Sequence, residues 1–366
     1  MWQVFDSLVA RVRLCRDPAR GMQNMRERIE DRAIGILRRH DTPGATVARM
    51  VDGELIAAGV GSCDLEGTEP LAADARFPIY SIAKTFIATV ILQLVEAGDP
   101  GLHDPIAPMF PDLDLDPRIT LVQVMNHTSG LPDYGGMSAY HGDLRHAPEV
   151  PWTSAQMLDR TLAQGMRFAP GAGWSYSNIG YLLLKLIVER ATGRSFRQVI
   201  ATRIAEPLGL TRTTVAETLD DLREVTPGFS TALDDDGELH DIADRYHPGW
   251  VSHGLIVSTA AEVAIFLDAL MTGRLLAPAR RDAMLQPVRV PIERHALFRE
   301  PSYGLGVMLD PAADRGPVVG HGGGGPGYAT GALYQATADG HRITVVALAN
   351  RDHAEIGLEI AWHGLR

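Results

Sequence analysis

Ser81 and Lys84 are the residues whose type and spacing first suggest chemistry. The chain carries 34 basic residues, yet only Lys84 and Lys185 are lysines. Arginine stays protonated in proteins, whereas a desolvated lysine can become a neutral amine and act as a base. Lys84 follows Ser81 by three residues, and on a helix that spacing puts both side chains on one face within hydrogen-bonding reach. The stretch onward to Ala97 is apolar nearly all round, through Ile82, Phe86, Ile87, Val90, Ile91 and Leu94. Such a helix belongs in a core. A serine in its first turn sits where backbone N–H groups and the helix dipole favour an anion. Random placement of the serines and the two lysines would yield about 0.07 S-x-x-K pairs, and one exists. The bland alternative is a surface lysine on an ordinary helix.

Two further groupings could serve the same chemistry. Tyr176 and Asn178 stand two apart in Trp174-Ser175-Tyr176-Ser177-Asn178, after Pro170-Gly171 and ahead of an apolar helix. A tyrosine can act as acid or base where a nearby cation, such as a lysine ammonium, lowers its pKa. An asparagine amide can position a carbonyl. Against this stands simple helix capping by Ser177 or Asn178. His321-Gly322-Gly323-Gly324-Gly325-Pro326-Gly327 reads as a loop between strands, whose glycines let a substrate approach the backbone and leave N–H groups for an oxyanion. The alternative there is a flexible hairpin loop. A phosphate loop is excluded, because no lysine-serine ending and no helix follow. His240, Asp241, Asp244, His247 and His253 match no zinc spacing and read as loop or pocket-lining residues, so no metal and no cofactor are expected.

The elements that must position these groups follow from periodicity. Met22 to His40 reads as an amphipathic helix, broken by Thr42-Pro43-Gly44. Ala45–Val51 and Glu54–Gly61 form a hairpin about Asp52-Gly53. After the Ser81 helix, Gly98 to Gly101 is a stop. Residues 101–118 read as loop, Val122–Asn126 as a short helix, Ile179–Ala191 as an apolar helix closed by Gly193, and Ala260–Leu270 as another ended by Gly273. Strands return at Gly304–Leu309, Val318–Gly320, Gly331–Gln335 and Arg342–Leu348, and Glu355–Trp362 suits a closing helix. Strands at both ends with helices between predict an α+β protein. Residues 1–21 are expected to be an N-terminal extension. Residues 22–100 and 300–366 are expected to build a sheet domain, and 101–299 a mostly helical domain. The site is expected in the cleft between them.

Composition bounds the function. A chain of this length, 45% hydrophobic and 22% charged, can bury a large core. The net charge of −11 disfavours nucleic acid or an anionic membrane surface as partner. The run from Ser81 to Ala97 carries Lys84 and Glu96 and is short for a membrane span. Cys15 and Cys63 show no metal spacing and no disulfide framework, and no secretory leader pattern is evident, so a cytoplasmic location is expected.

Taken in order, Ser81-x-x-Lys84, Tyr176-x-Asn178 and His321-x-Gly323 resemble the serine β-lactamase and penicillin-binding-protein-like hydrolases, in the branch that holds class C β-lactamases, D-alanyl-D-alanine carboxypeptidases, D-aminopeptidases and related esterases. Connecting phrases are similar too: Asn126-His127-Thr128-Ser129-Gly130-Leu131-Pro132, Glu206-Pro207-Leu208-Gly209, Gly254-Leu255-Ile256-Val257-Ser258-Thr259 and Tyr303-Gly304-Leu305-Gly306. The resemblance covers about residues 25–366. It implies an antiparallel sheet made from both chain ends and flanked by helices, beside an inserted helical domain. It implies that Ser81 attacks an ester or amide carbonyl, that Lys84 and Tyr176 share the proton traffic, and that Asn178 orients the substrate. The N–H groups of Ser81 and Gly324 would form the oxyanion hole, and His321, where other members carry lysine, would line the cleft opposite Tyr176. Which of Lys84 and Tyr176 is the base stays open. Class C β-lactamases hold a substrate carboxylate with an Asn and an Arg in the last helix. An ungapped count reaches Glu355 and Leu358 here, and an acid repels a carboxylate. The expected substrate is therefore a small ester, by hydrolysis or acyl transfer, then a D-amino-acid amide or peptide, then a β-lactam. The rival from another class is a non-catalytic binding protein that keeps the fold.

Overall fold

The structure, a computed structural model, describes residues 18–98, 100–353 and 355–366. Most of the expected extension, and Cys15, lie outside the described residues. The first helix, α1 (Pro18–Arg39), begins before Met22 and takes in the last part of that extension. Its buried stripe of Ile29, Ala33, Ile36 and Leu37 follows the helical period read from the sequence. The hairpin of β1 (Gly44–Val51) and β2 (Glu54–Gly61) turns at Asp52 and Gly53, with φ of 52° and 94°. Two successive positive φ values match the right-handed twist of the flanking strands.

The chain returns to this hairpin only at its end. Strands β3 (Val288–Arg289), β4 (Ser302–Tyr303), β5 (Met308–Asp310), β6 (Val318–Gly325), β7 (Tyr328–Ala336) and β8 (Arg342–Ala349) complete an eight-stranded sheet in the order β2-β1-β8-β7-β6-β5-β4-β3. Every neighbouring pair is antiparallel. Ala45 pairs with Ala349 and Val51 with Ile343, so the two chain ends are joined side by side within one sheet. Alternate residues of β8 serve opposite faces. Val345 and Ala347 join α1 and the closing helix (Ile356–Gly364) in one core, and Val346 and Leu348 join the larger core on the other face. That larger core holds α2 (Ala83–Ala97), α3 (Asn178–Thr192) and α4 (Ala260–Met271). Although 260–271 falls within the expected helical region, α4 packs directly on β1 and β8. The Tyr80–Ala97 stretch is long and apolar enough to cross a membrane, but here it is a core helix. Phe86 of α2 stacks on Phe266 of α4 with centroids 3.6 Å apart, and both rings are buried. Full burial of each such ring is worth about 1.5–3 kcal/mol.

Two strand expectations need correction. Gly304–Leu309 is not one strand. The chain turns between β4 and β5, where the Gly304 N–H donates to the Val307 carbonyl at 2.8 Å and Gly306 has φ of 74°. That left-handed backbone ends a strand and suits glycine. Conversely, His321 to Gly325 is not loop but the second half of β6, paired residue by residue with β7 from Ala332 to Tyr328. Ladder hydrogen bonds hold glycines in a strand that propensity alone disfavours.

Candidate active site

Ser81 is placed by a short 3-10 turn, Tyr80–Ile82, that leads into α2. Tyr80 adopts a left-handed φ of 44°, a strained conformation for a bulky residue. It is fixed on both sides. Phe77 and Pro78 pair with Ser258 and Val257, the Ile79 N–H donates to the Ile256 carbonyl at 2.9 Å, and the Tyr80 hydroxyl donates to the Pro326 carbonyl at 2.5 Å. The turn runs straight into α2, so Ser81 and Lys84, three residues apart, share one face. Lys84 Nζ lies 3.1 Å from Ser81 Oγ.

Lys84 is fully buried. Its amine also meets Asn178 Oδ1 at 2.8 Å and His253 Nε2 at 3.3 Å. Burial pushes its pKa down to about 7, with the Asp133 charge opposing. A large fraction is therefore neutral amine near neutral pH.

Tyr176 and Asn178 reach the same point from the loop before α3. Ser177 caps α3 by accepting from the Gly180 N–H at 3.1 Å, so capping and site placement coexist. The segment 126–133 holds this loop. The Ser175 and Ser177 N–H groups donate to the His127 carbonyl and to His127 Nδ1 at 3.0 and 3.2 Å, and Ser177 Oγ donates to the Pro132 carbonyl. Asp133 accepts from the Asn178 backbone N–H at 2.7 Å and from Asn178 Nδ2 at 3.3 Å. With Nδ2 turned to a carboxylate, the Asn178 oxygen is left facing Lys84. The Ser81 hydroxyl acts on the Tyr176 hydroxyl and lowers its pKa slightly, and Lys84 Nζ sits over the Tyr176 ring, 4.9 Å from the centroid. The lowering of the Tyr176 pKa expected from a neighbouring lysine does not occur. Burial pushes it far above the ordinary value, because a phenolate is costly there, and the Asp133 charge adds to the rise.

His321 stands opposite Tyr176, its ring 6.4 Å away. Nδ1 donates to the Gly322 carbonyl and Nε2 accepts from the Tyr303 hydroxyl at 2.8 Å. Burial pushes its pKa down to about 3, so it is neutral. Beyond it, β6 runs against the Ser81 turn. A Cβ on Gly323 would stand 2.6 Å from the Ile79 oxygen and 3.0 Å from the Ser81 nitrogen, so only glycine permits this approach. The Gly322 N–H donates to Met308 Sδ on the β5 side. By the pleat, the Gly324 N–H points to that same edge, where β5 no longer runs, since Met308 pairs with Gly320. Leu358 rests beside Gly322, and exposed Glu355 lies 3.7 Å from His295.

Sequence reading gave no role to Asp133 or His127, and placed His253 only as a loop or pocket-lining residue. Asp133 directly follows the Asn126–Pro132 phrase and His253 precedes Gly254-Leu255-Ile256, so each adjoined a visible motif. His127 stood inside one without an assigned role, and it packs 4.4 Å from the Tyr176 ring. The residues weighed as a metal set have separate partners: His240 binds Asp236, His247 accepts from the Gly249 N–H, and Asp241 accepts from the Gly228 N–H.

A family model described as Beta-lactamase matches residues 22–363. The chain belongs to the Beta-lactamase family. It is a serine hydrolase of that family, as the motifs implied. Penicillin-binding protein 4* of Bacillus subtilis is 28% identical over 90% of this chain and 73% of its own length. A D-stereospecific amidohydrolase from a Streptomyces species is 29% identical, with a TM-score of 0.76 over 92% of this chain and 99% of the other. The D-amino acid amidase of Ochrobactrum anthropi SV3, solved with L-phenylalanine amide, is 25% identical, with a TM-score of 0.78 over 93% and 97% of the two chains. These matches extend along the chain and bear out the α+β fold with a sheet drawn from both ends.

Proposed function

We propose that this member of the Beta-lactamase family hydrolyses small amides through an acyl-enzyme on Ser81, with D-amino-acid amides as the substrate class to test first and small esters second. The carrying observation is a serine hydroxyl 3.1 Å from a buried lysine whose pKa is about 7. In the proposed step, the Ser81 proton passes to the Lys84 amine while Oγ bonds to the carbonyl carbon. The carbonyl electron pair moves onto oxygen, which the N–H groups of Ser81 and Gly324 receive. Collapse breaks the bond to the leaving amine, which takes a proton through the Tyr176 hydroxyl. Asn178 holds Lys84 through its amide oxygen. Water then releases the acid. Tyr176, with its pKa raised, serves as donor and relay, which leaves Lys84 as the base.

Resemblance along the whole chain to two D-selective amidases moves amides ahead of the esters favoured by sequence. Neutral His321, standing where relatives carry lysine, gives a substrate carboxylate no cation, and this disfavours β-lactams. A cytoplasmic location is part of the proposal and is checked by cell fractionation.

The test is intact-protein mass after brief mixing and acid quench with D-phenylalanine amide, an activated short-chain ester or a penicillin. An adduct in the wild type that is missing from Ser81→Ala supports the reading. A Ser81→Ala variant that keeps full turnover of any of the three would sink it.

A further inference from the structure

Lys84 meets two acceptors besides Ser81. Asn178 Oδ1 lies 2.8 Å from its nitrogen and His253 Nε2 lies 3.3 Å away. A neutral amine has two hydrogens and one lone pair. If both hydrogens are held by those two acceptors, the lone pair has one direction left, toward Ser81 Oγ. We propose that His253 is a positioning residue that accepts a hydrogen from the Lys84 amine and so aims the amine lone pair at the Ser81 hydroxyl. The inference rests on Lys84 being the base.

His253 is suited to this in three ways. It is buried, and burial together with the Lys84 and Lys185 charges keeps it neutral, so Nε2 can remain an acceptor. Its Nδ1 is buried without a hydrogen-bond partner, so the ring's hydrogen bond is the one that Nε2 makes with Lys84. Its carrier is fixed: the Ser252 N–H is hydrogen-bonded to the Tyr134 hydroxyl, and Gly254 turns with φ of 98° into the strand that pairs with Phe77–Pro78. The same strand therefore anchors both the Ser81 turn and the imidazole. Proton transfer stays balanced: when Lys84 takes the Ser81 proton, the new N–H points back at Oγ and the other two keep their acceptors.

The groups facing Lys84 are few. Ser81 comes from its own turn, and Asn178 and Tyr181 from α3. Tyr176 comes from the preceding loop, Asp133 and His127 from segment 126–133, and His321 from β6. Of these, Asp133 is the group whose charge acts on the Lys84 pKa, and it stays in place in every variant, so removing the His253 acceptor should be read directly in Lys84.

Two lysines in the whole chain make that reading simple. Protein labelled at lysine Cε gives two carbon resonances, assigned with Lys185→Arg, and each is titrated by NMR. The same samples are assayed from pH 5 to 10 with the donor that acylates Ser81. His253→Leu fills the space without an acceptor, and His253→Gln keeps one near the Nε2 position. In His253→Leu the ammonium loses a hydrogen-bond acceptor and gains no water, so its midpoint should fall by at least about half a pH unit. Its kcat/KM should fall about tenfold or more at all pH values. His253→Gln should keep the wild-type midpoint and recover most of the rate. If leucine packs poorly, the unbranched His253→Met replaces it. Wild-type midpoints and rates in His253→Leu would overturn the inference, as would equal damage in both variants with no change in midpoint. A wild-type Lys84 that stays charged up to pH 9, or an active Lys84→Met, would instead remove the proposed base, and this inference with it.

Discussion

Lys84 is a cation that its surroundings disfavour, and the cost should be measurable in stability. Its pKa of about 7 lies well below the ordinary 10.5, so between these values the unfolded chain binds about one proton more than the folded one. Stability should rise with pH across that window, by about 1.4 kcal/mol per pH unit. The rise should stop near pH 10, where unfolded tyrosines begin to ionise while buried ones such as Tyr176 and Tyr181 resist. Urea unfolding from pH 6 to 10 checks this. Lys84→Met should flatten the profile, abolish acylation and stabilise the fold at pH 7 by about 1–3 kcal/mol, since the unpaired Asn178 oxygen offsets part of the gain. A steep profile in Lys84→Met would assign the effect elsewhere. At this scale Ser81, Lys84, Tyr176 and Asn178 were legible because their types and short spacings carry the chemistry. Asp133 and His253 were not, because they act across 45 and 169 residues of sequence, which no local pattern records.

The turn between β4 and β5 shows how an element can matter without touching substrate. Gly306 is left-handed and lies against α2 at the residues that bear the site. A Cβ there would stand 2.4 Å from Ala88 Cβ and 2.9 Å from the Lys84 carbonyl oxygen. The Gly306 carbonyl also accepts from the Thr85 hydroxyl at 2.7 Å. Gly306→Ala should therefore destabilise the fold by about 2–4 kcal/mol and push α2 away from α3, with loss of acylation rate. A melting temperature and rate both at wild-type levels would show that the helix yields without consequence. The amphipathic and apolar helices were readable from periodicity to within a few residues. The two strand misreadings share one cause. A glycine run has no side-chain pattern, so β6 looked like loop. The apolar run from Gly304 to Leu309 looked like strand, although Gly306 turns it.

For the molecule as a whole, the site and its supports bury three neutral imidazoles, His127, His253 and His321. Each has its folded pKa lowered, so its stability contribution is intact above the unfolded value near 6.5 and is lost as pH falls below it. Together they should erode stability by up to about 4 kcal/mol per pH unit between roughly pH 6 and 4. Exposed His341, raised by Asp52, opposes this only weakly. His321→Gln should remove about one proton from that slope in denaturant titrations. An unchanged slope would mean that this ring is already protonated in the fold. The α+β architecture was legible because strand signals cluster at the two ends of the chain. The strand order was not, since pairing β1 with β8 is decided by packing across nearly the whole chain. That pairing also governs birth on the ribosome. When residues 44–61 emerge, the partner edge of β1 still awaits about 300 residues, roughly 15–60 s of synthesis. During that interval the nascent hairpin carries an open edge, so new chains should need a holding chaperone more than mature enzyme does, and a circular permutant that joins the ends beside β8 should shed that dependence.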